Sequence, residues 1–248
     1  MPLPLPEIAH SRYAVARLQA HPEWAAELAD PAPFAREAMA AALVGAVDEA
    51  DLKRRLRQLR QRVLLRTLAR DLSGRADCAE VCATTSDLAE VSIGASLAFL
   101  GCEEMAVVGM GKLGGRELNY SSDIDVVVFF DPDTGILKNP DDATETYARL
   151  LRRLIRILQD RTGDGYVFRT DLRLRPDPGS TPLAIPIEAA MLYYEGRGQN
   201  WERAAFIKAR PVGGDVAAGE RFLKDLIPFV FRKYLDYAAI ADIHSIKR

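Results

Sequence analysis

The segment Ile124-Asp125-Val126-Val127-Val128-Phe129-Phe130 is apolar and largely β-branched apart from one carboxylate, the pattern of a strand buried on both faces. A shorter apolar run, Met105 to Val108, ends in Gly109, and glycines and polar residues fill the interval between the two. Two strands joined by a glycine-rich turn follow, so the heart of the chain is a sheet. From Ile8 to about Ala98, Leu, Ala and Arg dominate, which predicts helices broken at Pro22, Pro31 and Pro33. Beyond the strands, Asn139 to Asp142 offers loop and N-cap chemistry, and Tyr147, Leu150, Leu151, Leu154, Ile157 and Leu158 then recur at helical spacing up to about Asp160. Tyr166 to Leu174 alternates as a strand before Pro176. Helical patterning returns from Pro186, interrupted at Gly196, Gly198, Pro211, Gly213 and Gly214. A stripe of Ile240, Ile243 and Ile246 runs on with no stop signal, as in an element cut short. The expected class is helix-rich α/β: a helical N-terminal region (1–100), a core carrying a mixed sheet (101–186) and a helical C-terminal region (187–248).

Composition narrows the functions. Of 248 residues, 48% are hydrophobic and 27% charged, and the formal net charge is -2, so no global field draws the chain to nucleic acid or to anionic lipid. Any polyanion site is local. Asp51 to Leu72 is the most basic stretch, yet its apolar stripe, Leu52, Leu56, Leu59, Val63, Leu68 and Leu72, reads as a helix packed on the body with a solvated charged face. Cys78, Cys82 and Cys102 are too few and too far from His10, His21 and His244 for a zinc site, and their odd number argues against a disulfide framework. With no basic leader and no membrane-length apolar window, the expected compartment is the cytoplasm.

Gly109-Met110-Gly111-Lys112-Leu113-Gly114 matches a G-x-G-x-x-G dinucleotide fingerprint, with Asp131 near the spacing of a ribose-binding acid. Against that reading, Gly111 to Ser122 is short and rich in Gly, Asn and Ser, poor material for a packed crossover helix. A P-loop fails because no Gly-Lys-Ser or Gly-Lys-Thr closes the run. A third reading starts from Asp123 and Asp125, which flank one apolar residue at a strand start and so project from one face. Adjacent carboxylates repel unless cations lie between them, and hard oxygen donors suit magnesium. The glycine turn lets backbone amides at Gly109 and Gly111 approach phosphate oxygens, with Lys112 adding charge and Ser122 a hydroxyl. Asp171, in Arg169-Thr170-Asp171-Leu172-Arg173-Leu174-Arg175-Pro176, is the candidate third ligand, and Arg173 and Arg175 are candidates to face phosphates. Two plainer readings stand beside this one: turn-capping acids at a solvated strand start, and an Asp171 neutralised by Arg169 and Arg173. Strand, glycine turn, then Asp-x-Asp is the layout of metal-dependent nucleotidyl transfer.

The segment Gly109-Met-Gly-Lys-Leu-Gly-Gly-Arg-Glu-Leu-Asn-Tyr-Ser-Ser-Asp-Ile-Asp125 resembles the signature of the glutamine synthetase adenylyltransferase/adenylyl-removing enzymes, in the polymerase-β-like nucleotidyltransferase superfamily. Asp164 to Pro176, Asn200 to Arg210 and Pro228 to Tyr237 extend the likeness. The family carries two homologous halves. His21-Pro22-Glu23-Trp24, Trp201-Glu202-Arg203 followed by Lys208-Ala209-Arg210, and Pro228 to Tyr237 resemble the first, deadenylylating half. The resemblance implies a polymerase-β-like mixed sheet and phosphorolytic removal of AMP from an adenylylated tyrosine of glutamine synthetase, releasing ADP. It further implies Mg2+ held by Asp123, Asp125 and Asp171, and regulation through PII signalling proteins and glutamine in the longer enzyme. ATP-dependent adenylyl transfer, or a regulatory docking module inactive without its other half, are the alternatives. Glu202, Arg203, Lys208 and Arg210 match family positions, and Glu202 can equally serve structure through its neighbours.

Overall fold

The computed structural model describes residues 6–132 and 142–231. The predicted loop and cap at Asn139 to Asp141 and the isoleucine stripe beyond Ala238 lie outside the described residues. The chain divides into two compact units: Met1–Ser96 with Arg116–Asp123 and Ile157–Arg169, and Leu97–Gly115 with Ile124–Arg156 and Thr170–Arg248.

The first unit is helical. After a 3-10 turn at Pro6–His10 come α1 (Arg12–Ala20), a second 3-10 segment at Pro22–Ala29, α2 (Arg36–Ala41), α3 (Glu49–Leu72) and most of α4 (Cys78–Leu100). The breaks coincide with Pro22, Pro31 and Pro33. Asp48 caps α3, its carboxylate accepting from the Asp51 amide at 2.7 Å. Leu52, Leu56, Leu59 and Val63 are buried along its stripe, but the charged face is more than solvated. Arg57 is fully buried, and Arg62, Arg66 and Arg70 reach Glu27, Asp30 and Glu80. A core of Ile8, Ala14, Leu18, Trp24, Leu28, Leu65 and Ala69 ties α1 and the 3-10 segments to α3.

The second unit is built on a mixed sheet with the order β3-β2-β1-β5, and β4 also on β2. Strand β1 is Ala106–Gly109 and β2 is Ile124–Phe130, paired antiparallel with Val107 opposite Val128. Strands β3 (Thr170–Asp171) and β4 (Ala184–Pro186) lie end to end along the other edge of β2, both parallel to it. Strand β5 (Arg210–Gly214) closes the free edge of β1. Helix α5 (Gly111–Gly114) is the single turn between β1 and β2. On one sheet face, Val108, Val127 and Phe129 pack with residues of α7 (Ile187–Arg197), α8 (Asn200–Phe206), α9 (Val216–Asp225) and α10 (Ile227–Val230), among them Tyr194, Phe206, Phe222 and Phe229. On the other face, Phe130 meets Tyr147 of α6 (Ala143–Gln159) at a ring separation of 4.5 Å. This is the helix-rich α/β class with a mixed sheet that the patterning predicts. Among the described residues no helix is long and apolar enough to cross a membrane.

Two expectations change. The strand predicted over Tyr166 to Leu174 shrinks to Thr170–Asp171. The Val167 and Phe168 amides are spent on the Leu158 carbonyl at 2.8 and 3.2 Å, and past Asp171 its carboxylate captures the Arg173 amide at 2.8 Å, turning the chain away. Arg210–Gly214, read as an interruption between helices, is instead a strand. Gly214 makes the close pairing possible: its φ is +70°, and a Cβ there would lie 1.7 Å from the Met105 carbonyl oxygen.

Candidate active site

The antiparallel pairing of β1 and β2 removes the dinucleotide reading, which needs two parallel strands joined by a crossover helix. What the turn does instead is bring backbone against a carboxylate. The Met110 amide donates to the Asp125 carbonyl at 2.8 Å, and Gly111, with φ at +51°, lies so close that an added Cβ would sit 3.2 Å from Asp125 Oδ2. Gly109 is held for packing, since a Cβ there would strike Val212 at 2.7 Å. Lys112 is exposed on α5.

Asp125 and Asp171 are register partners on the parallel strands β2 and β3, so their carboxylates stand side by side on one sheet face. Like charges directly opposed on neighbouring strands repel. Arg173 relieves this, binding Asp171 through Nε at 2.7 Å and Nη2 at 2.5 Å and holding its carboxyl below the ordinary carboxylate range. Arg173 is itself 86% exposed, so this pair is screened by solvent. Arg175 is placed differently from a phosphate ligand. Its Nη groups donate to the Leu172 and Pro178 carbonyls at 3.0 and 2.6 Å, which pins the turn after β3.

In the first unit, Asp123 ends the loop that enters β2 and accepts from Arg169 Nε at 2.5 Å. The ion-pair reading of the arginines is therefore half right in its partners: Arg173 takes Asp171, whereas Arg169 takes Asp123. Ser122 closes the loop's own turn, its Oγ accepting from the Asn119 amide and donating to Asn119 Oδ1, each at 3.0 Å. Two anchors that sequence reasoning missed hold this loop. Arg116, with φ at +56°, pairs with Asp87 at 2.9 Å and Glu90 at 3.1 Å, and Tyr120 donates to Asp71 at 3.0 Å. Both lie inside the glycine-rich signature, so position along the chain was the available signal.

Among the described residues no three carboxylate, imidazole or thiol side chains gather as a metal-binding set. The donors nonetheless suit a hard cation: two opposed carboxylates, a third acid two residues upstream, and arginines rather than apolar groups neutralising them.

The remaining family-matched positions act locally. Arg210 donates to the Gly114 and Leu113 carbonyls at 3.2 and 3.3 Å, and a Cβ on Gly114 would fall 2.1 Å from the Lys208 carbonyl oxygen. Arg210 and the Lys208 backbone thus clamp the glycine turn. Arg203 lies over Phe229 at 4.8 Å. Glu202 is fully buried and caps α8, accepting at one oxygen from the Gln199 amide at 2.7 Å and Tyr193 at 3.2 Å while the other oxygen has no partner among the described residues. Burial raises its pKa. A raised carboxylate favours the folded state fully below the unfolded pKa and loses that contribution as pH rises through the folded one. Glu202→Gln, which keeps the accepting oxygen, therefore gains melting temperature over the parent above the ordinary carboxylate range and gains none below it. Thermal melts across pH 3 to 8, on the order of the carboxylate window, check this, and equal melting curves at high pH would refute it.

With the geometry in place, comparison with known proteins is informative. The sequence profile of the glutamate-ammonia ligase adenylyltransferase family matches residues 5–225. The chain is 62% identical over 222 residues to the bifunctional glutamine synthetase adenylyltransferase/adenylyl-removing enzyme of Rhizobium meliloti, covering 82% of this chain and 22% of that protein. The protein of the same description from Agrobacterium fabrum is 78% identical over 144 residues, covering 58% of this chain and 15% of the relative. That from Mesorhizobium japonicum is 55% identical over 227 residues, covering 84% and 23%. The chain spans less than a quarter of the length of these relatives.

Proposed function

The chain belongs to the glutamate-ammonia ligase adenylyltransferase family, and from that premise we propose that it performs nucleotidyl transfer in the removing direction: phosphorolysis of AMP from an adenylylated tyrosine of glutamine synthetase, releasing ADP. The observation that carries the chemistry is the in-register opposition of Asp125 and Asp171 beside the glycine turn. The direction rests on the likeness of Trp201-Glu202-Arg203 and Lys208-Ala209-Arg210 to the deadenylylating half.

Asp125 and Asp171 would hold Mg2+, with Asp123, two residues before Asp125 in the chain, as the further candidate ligand; the ion would supply neutralisation of the phosphate oxygens and of the attacking and leaving oxygens. The protein's own part is placement. The backbone at Gly111 leaves room for phosphate beside Asp125, Gly109 keeps the turn packed on Val212, and the exposed Lys112 ammonium adds charge there. Arg173, exposed beside Asp171, is the guanidinium that would face the phosphates. Ser122 fixes the turn that presents Asp123, and Arg175 fixes the turn that presents Arg173. A phosphate oxygen attacks the α-phosphorus, the bond to the tyrosine oxygen breaks, and that oxygen takes up a proton. Glutamine synthetase, inorganic phosphate and ADP are the proposed partners, with PII proteins acting through the longer enzyme.

The test mixes the chain with adenylylated glutamine synthetase, phosphate and magnesium, and reads ADP. Release that requires both phosphate and Asp125 supports the reading. Labelling of unmodified synthetase from ATP, without ADP release, reverses the direction, and no turnover either way favours a docking module.

A further inference from the structure

A cleft of about 380 Å³ opens in the helical unit, walled by Tyr13 of α1, by Arg60, Leu64 and Leu68 of α3, and by Tyr120 and Ser121 of the loop that leads to Asp123. Its volume is that of a small-molecule site. Arg60, Leu64 and Leu68 are spaced four apart and so line one stripe of α3. Among the described residues no carboxylate lines the cleft. Arg60 lies over the Tyr166 ring at 5.0 Å, and among the described residues it makes no hydrogen bond or ion pair, although its Nε is buried. Arg17, one turn from Tyr13, lies outside the cleft wall and donates through Nη1 to Gln61 Oε1 at 3.2 Å. The fields of both arginines act on the Tyr13 phenol, opposing the upward pull of its burial. The cleft thus offers aromatic and aliphatic walls together with one guanidinium, that of Arg60, which has no hydrogen-bond acceptor among the described residues.

We propose that this cleft is a purine-base subsite, the base lying between the Tyr13 and Tyr120 walls and accepting from Arg60 through a ring nitrogen. A purine fits better than a phenol ring. It presents several ring acceptors to a wall whose charged group only donates, and a wider face to stack on the tyrosines. Placement agrees: Ser121 precedes Asp123 by two residues, at most about 7 Å of extended chain. A nucleotide seated by its base here therefore carries its phosphate toward Asp123. The choice of a nucleotide rests on the nucleotidyl-transfer reading above, whereas the cleft and its unpaired donor do not.

The test titrates adenosine and, separately, cytidine into the chain in metal-free buffer, by calorimetry and by tyrosine fluorescence. Adenosine binds the parent and binds Arg60→Gln at least about tenfold more weakly, the loss of a hydrogen bond to a charged donor. Ser121→Trp, on an exposed turn where folding is not at stake, blocks the cleft and abolishes binding, and Asp125→Asn leaves it unchanged. Equal affinity of parent and Arg60→Gln, equal affinity for cytidine, or no adenosine binding by the parent overturns the subsite. The two readings fail separately. Arg60-dependent adenosine binding without phosphorolysis keeps the subsite and sinks the reaction, whereas phosphorolysis with an unchanged KM in Arg60→Gln sinks the subsite alone.

Discussion

Replacing Asp125 by asparagine lowers magnesium-dependent turnover by at least about a thousandfold, some 4 kcal/mol of transition-state stabilisation, and leaves the chain folded. Asp125 stands directly opposite Asp171 across two parallel strands, so the substitution also removes a like-charge contact between them. The expected signature is therefore paired: activity disappears while the melting temperature without metal holds or rises. In the parent, magnesium raises the melting temperature by occupying the opposed acids; in Asp125→Asn that increment is lost. Asp123→Asn carries the same loss of turnover. Steady-state rates and melts with and without magnesium check both halves, and full activity in either variant would sink the metal assignment.

The second large effect lies away from the chemistry. Arg57→Met destabilises the protein by about 3 kcal/mol or more, a fall of roughly 6–12 °C in melting temperature for a chain of this size. The guanidinium is fully buried and donates to four carbonyls: Gly165 at 2.9 Å, Lys53 at 2.8 Å, Ile157 at 3.1 Å and Asp160 at 2.5 Å. Ile157 lies in the last turn of α6 and Asp160 just past its end, where carbonyls have no intrahelical donor and a cation is favoured. Methionine fills much of the same volume and donates nothing, so the carbonyls are stranded. Thermal or urea unfolding measures the effect, and a shift below about 2 °C would show that these carbonyls find other donors.

These two residues mark what was legible in the sequence. Asp125 announces itself, because a carboxylate inside Ile124 to Phe130 breaks a pattern that otherwise wants only apolar residues. The same periodic signal revealed β1, α3 and α6. Arg57 sits among Lys53, Arg54, Arg55, Arg60 and Arg62, and composition does not say which member of a basic run turns inward; that is decided by where the carbonyls of Ile157 and Asp160 arrive from a distant segment. Strand β5 was illegible for a related reason. Arg-Pro-Val-Gly-Gly has little intrinsic preference for extended structure, and only the open edge of β1 recruits it. Tyr166 to Leu174 errs the other way, with a clean alternation overruled by the Asp171 carboxylate and the Leu158 carbonyl. The Tyr13 cleft draws on α1, α3 and the loop before Asp123, so no local window contains it.

The position of β5 has a bearing on how the chain is made. Strand β1 is apolar along its whole length, and the residues that cover its second edge are encoded about a hundred positions later. During synthesis the nascent chain must therefore carry an unsatisfied, hydrophobic strand edge until Arg210–Gly214 leave the ribosome, a template for pairing with a neighbouring copy. Versions of this chain that stop short of Arg210 retain every acid of the candidate site, yet should accumulate as aggregates, whereas versions that keep β5 and run through α10 should remain soluble.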